Sequence, residues 1–311
     1  MMLSKLKKIE YSEIKAILDK YDQKSFYEKV NYIPDSQDLY NKLEKCVAPH
    51  EFCQRAVLGI DIYKYSSYQH LEQTLIPFVF KILFDHTIKY CIEFNQFVFQ
   101  KYSEPEIQKA FLSTGDGGFL ILDTPLHALL FAINFELVLR AYNSYHLYPK
   151  LRKIIGYISL RYAITYDTIY TFNNNYYGRS IINNARILDR DNLNRCLIEE
   201  KTHEWFLLNI DGIENLQVIT IEEVSNIFDF QEYDKKFLKN GKNAIINTKA
   251  SRHSGIINSD LLKIGEISLK ETSMNVYNLH IQVTMTISDH KNTQKKRKIT
   301  ISLGNLNTSG I

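Results

Sequence analysis

The stretches GIDIYKYS (residues 59–66) and STGDGGFLIL (residues 113–122) decide the fold of this chain. Each places an acidic side chain, Asp61 or Asp116, at one end of an apolar, β-like run, where a strand meets a turn. Two such carboxylates, brought together in space, form the hard oxygen ligand set that Mg²⁺ and Mn²⁺ prefer. We therefore expect a divalent-cation site at neighbouring strand ends.

The segments around these acids alternate between strand and helix patterns. Residues 55–62 and 154–172 are rich in β-branched and aromatic side chains, which predicts strands. Residues 68–100 predict an apolar, aromatic-rich helix. Residues 110–122 predict a hairpin in which glycine of the GDGG turn supplies the positive φ that a tight turn needs.

Further helix and strand signals complete the order of elements. Thr124 is a predicted N-cap with Pro125 in the first turn, and this helix runs to about Tyr142. After the loop NNNYYG, a second helix begins near Gly178, and residues 215–222 (NLQVITIE) predict another strand. The order β, α, β-hairpin, α, β-β, α, β predicts an α+β fold, an antiparallel sheet with covering helices.

The remaining chain divides by composition. Residues 1–50 are charged and helix-prone, residues 51–223 form the predicted main domain, and the charged residues 224–255 predict a linker. Residues 256–311 predict a small β appendage, a sensor or dimerisation element. From 277 to 287 its odd positions are apolar and its even positions polar, which predicts a strand with one solvent-exposed face.

Bulk composition is typical of a soluble globular protein. The chain has 311 residues, of which 45% are hydrophobic and 23% charged, and its net charge of +3 is too small to indicate nucleic-acid binding. Four scattered cysteines fit no zinc pattern and are typical of a reduced, cytoplasmic protein. The apolar stretch 126–139 contains Asn134 and Glu136, which favours a buried helix over a membrane span.

Four motifs, in family order, resemble those of the class III nucleotidyl cyclases, the adenylyl and guanylyl cyclase family. They are DIYKYS at 61–66, GDG at 115–117, SLRYAI at 159–164 and GRSIINNAR at 178–186. The resemblance covers residues 55–222, about half of the chain, and implies a ferredoxin-like core. It also implies a homodimer whose active sites lie between head-to-tail subunits.

The resemblance implies a metal site and a set of roles. Asp61, Asp116 and the Ile62 carbonyl would hold two Mg²⁺ or Mn²⁺ ions per active site, and Arg186 would contact the triphosphate from the facing subunit. The family's catalytic asparagine falls on Ile182, so the neighbouring Asn183 is the candidate substitute.

The family's phosphate-binding lysine is also replaced. Its position aligns with Asp211, which leaves Arg179 or Lys201 as candidate phosphate-binding cations.

The base-reading positions depart from those of the purine cyclases. Leu112 and Asn175 stand where adenylyl cyclases carry Lys and Asp, and leucine cannot hydrogen-bond to a purine edge. Together with Tyr65 in place of phenylalanine, this pattern is similar to that of the pyrimidine cyclases of bacterial Pycsar anti-phage systems. The resemblance implies UTP or CTP as substrate, cyclic UMP or cyclic CMP as product, and a separate cyclic-nucleotide-binding effector.

Other interpretations of the same residues stay open. An acid after an apolar run is commonly a turn residue, GDGG is commonly only a hairpin turn, and Tyr65 could simply fill the core. A degenerate cyclase-like domain that binds nucleotides without turnover, or an adenylyl cyclase with an atypical base pocket, would carry the same motifs.

Overall fold

The protein is seen here as a computed structural model that describes residues 52–172, 175–217, 221–228, 255–268, 273–289 and 292–311, with three single positions before them. It divides into a larger unit within residues 54–168 and 178–311, and a smaller one whose described part is mainly residues 169–172 and 175–177. The predicted helix-prone segment 1–50 and residues 229–254 of the predicted linker lie outside the described residues.

The elements alternate as follows. The strands are β1 Phe52–Ile62, β2 Phe111–Ser113, β3 Gly117–Leu122, β4 Leu160–Phe172, β5 Asn175–Gly178, β6 Cys196–Glu199, β7 Gly255–Ser268, β8 Ser273–Asp289 and β9 Asn292–Leu303. The helices are α1 His70–Phe94, α2 Gln96–Phe99, α3 Glu104–Lys109, α4 Pro125–Asn143, α5 Pro149–Ile155, α6 Arg179–Arg190, α7 Glu200–Ile210 and α8 Ile221–Phe228.

Within the described residues the strands form one nine-stranded sheet of order β2-β3-β1-β4-β6-β8-β7, with β9 on β8 and β5 on β4. The predicted α+β class with covering helices is confirmed. Most pairs with a defined register are antiparallel, but β4 and β6 run parallel. Because Leu279 of β8 pairs with Cys196 of β6, the segment predicted as a β appendage continues the main sheet.

One face of the sheet carries a large aromatic core beneath α1 and α4. The rings of Phe80, Phe84, Phe111, Phe131 and Phe135 contact one another with centroids 4.4–6.3 Å apart. Such ring pairs add to the free energy gained by removing their surfaces from water. This face is the main source of apolar burial.

The start of α4 follows the predicted capping chemistry. The Thr124 hydroxyl accepts a hydrogen bond from the His127 amide at 3.5 Å, and Pro125 occupies the first turn. Proline costs nothing at this position because its missing amide proton would have no partner within the helix. The predicted helix is confirmed and ends at Asn143.

The opposite face of the sheet is covered by α6 over a much smaller core. Ile187 and Leu188 of α6 pack with Ala163 of β4, Leu197 of β6 and Val276 of β8. Alongside this core the same face carries polar side chains, among them Asp61, Arg161 and Asn184. The fold therefore separates an apolar face from a face that offers hydrogen-bonding and charged groups.

The prediction of a solvent-exposed face on β8 is wrong. Of its even positions, Asn278, His280 and Thr284 are only 4%, 5% and 6% exposed, and Gln282 is half-buried. The Asn278 amide donates to the carbonyls of Asn305 and Asn307 at 2.8 and 3.1 Å, so a following segment covers this side of the strand. Polar alternation thus marks a hydrogen-bonded interface here.

Three boundaries also differ from the predictions. The strand predicted over 215–222 is wrong, since Ile213–Gln217 form a 3₁₀ helix and α8 begins at Ile221. The first residues of the strand predicted over 154–172 instead end α5. Part of the predicted NNNYYG loop is β5, in the smaller unit, where the rings of Tyr170 and Tyr177 stack 5.3 Å apart.

Candidate active site

The two acids meet where β1 and β3 end side by side. Asp61 is the register partner of Gly117, the residue after Asp116, and the Ile62 amide donates to the Asp116 carbonyl at 3.2 Å. Residues 61 and 116 are thus neighbours across the strand pair although 55 positions separate them in the chain. Both side chains are partly exposed, so the site is open to solvent.

The glycines of the GDGG turn have two different tasks. Gly115 has a φ of +107°, which confirms the predicted need for glycine in this turn. Gly117 serves close approach instead: a Cβ placed there would lie 2.1 Å from the Ile60 carbonyl oxygen. A side chain at this position would push β3 away from β1 and separate the two acids.

Arg161, at the start of β4, is a site residue that sequence reasoning did not single out. Its Nε donates to Asp61 Oδ2 at 2.5 Å, and its Nη1 donates to the Asp191 carbonyl just beyond α6. The only signal in the sequence was a lone arginine in the apolar motif SLRYAI. Its partner lies 100 residues away, so no local pattern could connect them.

The electrostatics of the site favour an added positive charge. Burial raises the pKa of Asp61, the nearby Asp116 carboxylate raises it further, and the guanidinium of Arg161 opposes both effects. A divalent cation between the carboxylates would relieve their repulsion. The site therefore suits a cation better than an arrangement with one isolated acid would.

The donor set matches the chemistry of magnesium rather than that of a closed structural metal site. Among the described residues there is no group of three or more His, Cys, Asp or Glu side chains that could hold a metal ion. Mg²⁺ is commonly held by one or two carboxylates, with substrate phosphates and water supplying its other ligands. Asp61, Asp116 and the Ile62 carbonyl fit such a half-completed shell.

A cleft of about 160 Å³ opens beside Asp61. Arg161 and Thr114 line one side of it, and Ala185, Leu188 and Asp189 of α6 line the other. Arg186 lies on the same helix and is half-buried, but among the described residues it is not one that lines this cleft. The structure thus brings α6 to Asp61, while Arg186 of the same chain does not line the cleft.

Asn184 fixes α6 onto the sheet. Its Nδ2 donates to the carbonyls of Val57 and Ala163 at 2.8 and 2.9 Å, which joins the helix to β1 and β4. The close approach depends on Gly59, where a Cβ would lie 1.9 Å from Asn184 Oδ1. Gly59, two residues before Asp61, therefore admits the helix that forms the cleft wall.

Asn183, the candidate substitute for the family's catalytic asparagine, contacts a buried glutamate, and its catalytic role stays a prediction. Its Nδ2 donates to Glu199 at 3.2 Å, and the same carboxylate accepts from the Tyr166 amide at 2.5 Å. Burial raises the pKa of Glu199, which is 2% exposed, to about 7. Ile182, at the position of the family asparagine, is 51% exposed.

Two predicted base-reading residues have clear structural surroundings. The Tyr65 hydroxyl donates to the Gln73 carbonyl at 2.8 Å, and its ring packs against the large core. Leu112 is half-buried in β2 opposite Phe119. Asn175 is exposed in β5 of the smaller unit. Their roles with a nucleotide stay predictions.

The candidate phosphate-binding cations differ in availability. Arg179 is exposed at the start of α6. Lys201 is paired with Asp167 at 2.5 Å, so its charge is already partly neutralised. Of these two cations, Arg179 is the better candidate to contact a phosphate.

Comparisons with known proteins give structural likenesses only. No protein-family profile and no curated protein matches the chain. An adenylate/guanylate cyclase/hydrolase from Silicibacter pomeroyi is 14% identical, with 74% of this chain and 97% of that one covered and a TM-score of 0.38. The guanylate cyclase domain of RhGC from Catenaria anguillulae, in complex with GTP, is 10% identical, with coverages of 73% and 95% and a TM-score of 0.40.

The adenylyl cyclase CyaB from P. aeruginosa is 13% identical, with coverages of 73% and 94% and a TM-score of 0.35. No helix among the described residues is long and apolar enough to cross a membrane. The function proposed below therefore depends on the residues and geometry of this chain.

Proposed function

We propose that this chain is a nucleotidyl cyclase that converts a pyrimidine nucleoside triphosphate, UTP or CTP, to its 3′,5′-cyclic monophosphate. The observation that carries the proposal is the meeting of Asp61 and Asp116 at the adjoining ends of β1 and β3, beside a cleft walled by α6. Two carboxylates beside an open cleft suit metal-assisted chemistry on a triphosphate.

The proposed reaction exchanges one phosphorus–oxygen bond for another. The ribose 3′-oxygen loses its proton to solvent and bonds to the α-phosphorus, while the bond from that phosphorus to the pyrophosphate oxygen breaks. Bound Mg²⁺ or Mn²⁺ would lower the pKa of the 3′-hydroxyl and neutralise phosphate charge. Asp61, Asp116 and the Ile62 carbonyl would hold these ions.

The cationic side chains would bind and orient the phosphates. Arg161 lies next to Asp61, and Arg186 and Arg179 lie on α6. The cleft of about 160 Å³ is smaller than the ~300–1,000 Å³ of ordinary ligand pockets, which is consistent with a site completed by a second copy of the chain. In that homodimer, Arg186 would stabilise developing charge at the facing subunit's site.

The main support for a pyrimidine base is that Leu112 stands where the purine cyclases carry a side chain that hydrogen-bonds to the base. Its side chain cannot hydrogen-bond, and it projects from β2, next to the strand that follows Asp116. The likeness of this pattern to the anti-phage pyrimidine cyclases extends the proposal to second-messenger synthesis read by a separate effector.

The test is to incubate the purified chain with each of the four ribonucleoside triphosphates and Mn²⁺, and to measure pyrophosphate and cyclic nucleotide. We expect turnover of UTP or CTP that falls by about 10³-fold in Asp61→Asn and Asp116→Asn. Asp123→Asn is the matched control, because this acid also follows a strand but pairs with Arg55. Turnover that survives either site substitution would overturn the two-metal assignment.

A second function, nucleotide binding without turnover, is favoured by one observation. Arg161 already occupies Asp61 Oδ2 at 2.5 Å, and so competes with a cation for that oxygen. This hypothesis predicts that a nucleotide binds without pyrophosphate release. Turnover of ATP alone would instead indicate an adenylyl cyclase with an atypical pocket.

A further inference from the structure

Residues 305–311, which we call the strap, run back over the polar face of the sheet after β9. Asn305 Nδ2 donates to the backbone carbonyl and side-chain oxygen of Asn194 at 2.9 and 3.0 Å. Asn278 Nδ2 of β8 donates hydrogen bonds to the carbonyls of Asn305 and Asn307. Ile311 packs against the small core beneath α6. The strap is therefore held at several points along its length.

The strap supplies the ligands of a buried guanidinium. Arg195, with its side chain 1% exposed, donates from Nη1 to the carbonyls of Ser309 at 2.6 Å and Asn307 at 3.4 Å. Its Nε and Nη2 contact Asp191 Oδ1 at 2.9 and 2.7 Å, and Asp191 is also 1% exposed. A buried ion pair is stable only where additional hydrogen bonds satisfy its remaining donors. Here the strap's carbonyls accept from Nη1, the guanidinium nitrogen that does not contact Asp191.

Asp191 connects the buried Arg195 to the candidate active site. Its amide donates to the Ile187 carbonyl at 3.0 Å and so closes the end of α6. Its own carbonyl accepts from Arg161 Nη1, and Arg161 Nε donates to Asp61. An unbroken series of polar contacts thus runs from Ser309 through Arg195, Asp191 and Arg161 to Asp61.

The anchor on Asp191 determines how Arg161 meets Asp61. While Nη1 is held by the Asp191 carbonyl, Arg161 reaches Asp61 through Nε, at Oδ2. A guanidinium released from that anchor can bind a carboxylate with two parallel hydrogen bonds, which is the stronger arrangement. Such a fork would cover both oxygens of Asp61 and exclude a cation.

We propose that the strap and Arg195 are positioning elements for the cation site: through Asp191 they hold Arg161 so that one oxygen of Asp61 stays available. The inference rests on the proposed function for the identity of the ligand, a divalent cation. It also assigns a role to residues 305–311 beyond covering β8. Removing the strap should weaken cation binding although none of its residues touches the site.

The test measures Mn²⁺ binding by electron paramagnetic resonance, without nucleotide, in four proteins. These are the full chain, the chain lacking residues 305–311, Arg161→Met, and the combination. Removing the strap should raise the Kd for Mn²⁺ by about tenfold or more, as loss of outer-shell support commonly does. In the Arg161→Met variant, removal of the strap should change the Kd little, because no guanidinium is then present to form two hydrogen bonds with the Asp61 carboxylate.

A second readout does not need the metal. Hydrogen exchange of backbone amides in residues 159–163 and 186–191 should quicken when the strap is removed, since Arg161 and the end of α6 lose their anchor. Leu306→Ala is the matched control, because this strap side chain is 63% exposed. Asn305→Ala, which loses the contacts with Asn194, is the milder variant if removal of the strap prevents folding.

The outcomes separate this inference from the proposed function. Unchanged exchange and unchanged Mn²⁺ affinity without the strap would overturn the inference, as would an equal loss of affinity in the Arg161→Met background. A full chain that binds no Mn²⁺ would overturn the metal assignment. The exchange measurement alone would then decide whether the strap positions Arg161.

Discussion

The two faces of the sheet hold their helices by different means. On one face, α1 and α4 are held by interlocking phenylalanine rings. On the other, α6 is held by a small apolar core and by hydrogen bonds from Asn183, Asn184 and the Asp191–Arg195 pair. The comparison teaches that the first face supplies stability, whereas the second fixes the orientation of the groups around Asp61 and Asp116.

The largest expected loss of stability comes from creating a cavity in the aromatic core. Phe131 is fully buried between Phe84 and Phe135, so Phe131→Ala should lower the free energy of unfolding by about 3–5 kcal/mol. Urea unfolding monitored by circular dichroism measures this change. Asp189→Ala, an exposed change on the other face, should stay within about 0.5 kcal/mol. Similar losses in both variants would contradict the division of roles.

A smaller loss is expected from the hydrogen bonds that hold α6. Asn184→Ala should lower the free energy of unfolding by about 2 kcal/mol, because the buried carbonyls of Val57 and Ala163 lose the hydrogen bonds that Asn184 donates. Asn183→Ala, next to it in the chain, removes one 3.2 Å contact with Glu199 and should cost less. The same unfolding assay compares them, and the reverse order would contradict the assignment of Asn184 as the main anchor.

Much of the fold was predictable because its signals are local. The apolar, β-like run of β1, the GDGG turn and the Thr124–Pro125 start of α4 are each short-range patterns, and each is confirmed. β6 was not predicted, since a four-residue strand followed by charged residues has no clear periodicity. It forms because β4 and β8 pair with it from both sides.

The candidate site was predictable only in part, for a similar reason. The two acids are marked by strand ends, so their meeting could be expected from the motifs. Arg161, Asp191 and Arg195 have roles that depend on pairing between distant segments, and the strap that buries Arg195 has no sequence signature. The polar positions of β8 predicted a solvent-exposed face. That prediction was wrong because an alternating pattern is the same whether water or another segment of backbone hydrogen-bonds to the polar side chains.

The pH dependence of the free energy of unfolding tests the contribution of Glu199, which contacts Asn183 of α6. Its pKa is about 7 when folded, above the ordinary value of 4.5, so the folded protein holds this proton more tightly than the unfolded chain. Its contribution to stability is therefore fully present below the lower value and lost as pH rises through the higher one. The loss should approach about 1.4 kcal/mol per pH unit in this window.

Glu199→Gln should remove that slope, because an amide does not titrate. Urea unfolding of both proteins between about pH 5 and about pH 7.5 compares them across the window in which this carboxyl loses its proton. A slope that is equally steep in the variant would mean that other buried carboxyl groups produce the dependence.

The smallest expected effect is that of Tyr65→Phe, which tests whether Tyr65 packs in the core or recognises the base. Tyr65→Phe removes the hydrogen bond to the Gln73 carbonyl and should cost about 1 kcal/mol of stability. Because that bond already uses the hydroxyl proton, we expect the relative rates with UTP and CTP to stay as they were. A change in this ratio would instead assign Tyr65 to base recognition.

The most direct test of the central claim is the binding of Mn²⁺ to the full chain and to Asp61→Asn and Asp116→Asn, measured by isothermal titration calorimetry. We predict that the full chain binds Mn²⁺ and that each substitution alone greatly weakens this binding, because the two carboxylates share one site at the ends of β1 and β3. Undiminished binding in either variant would contradict the account.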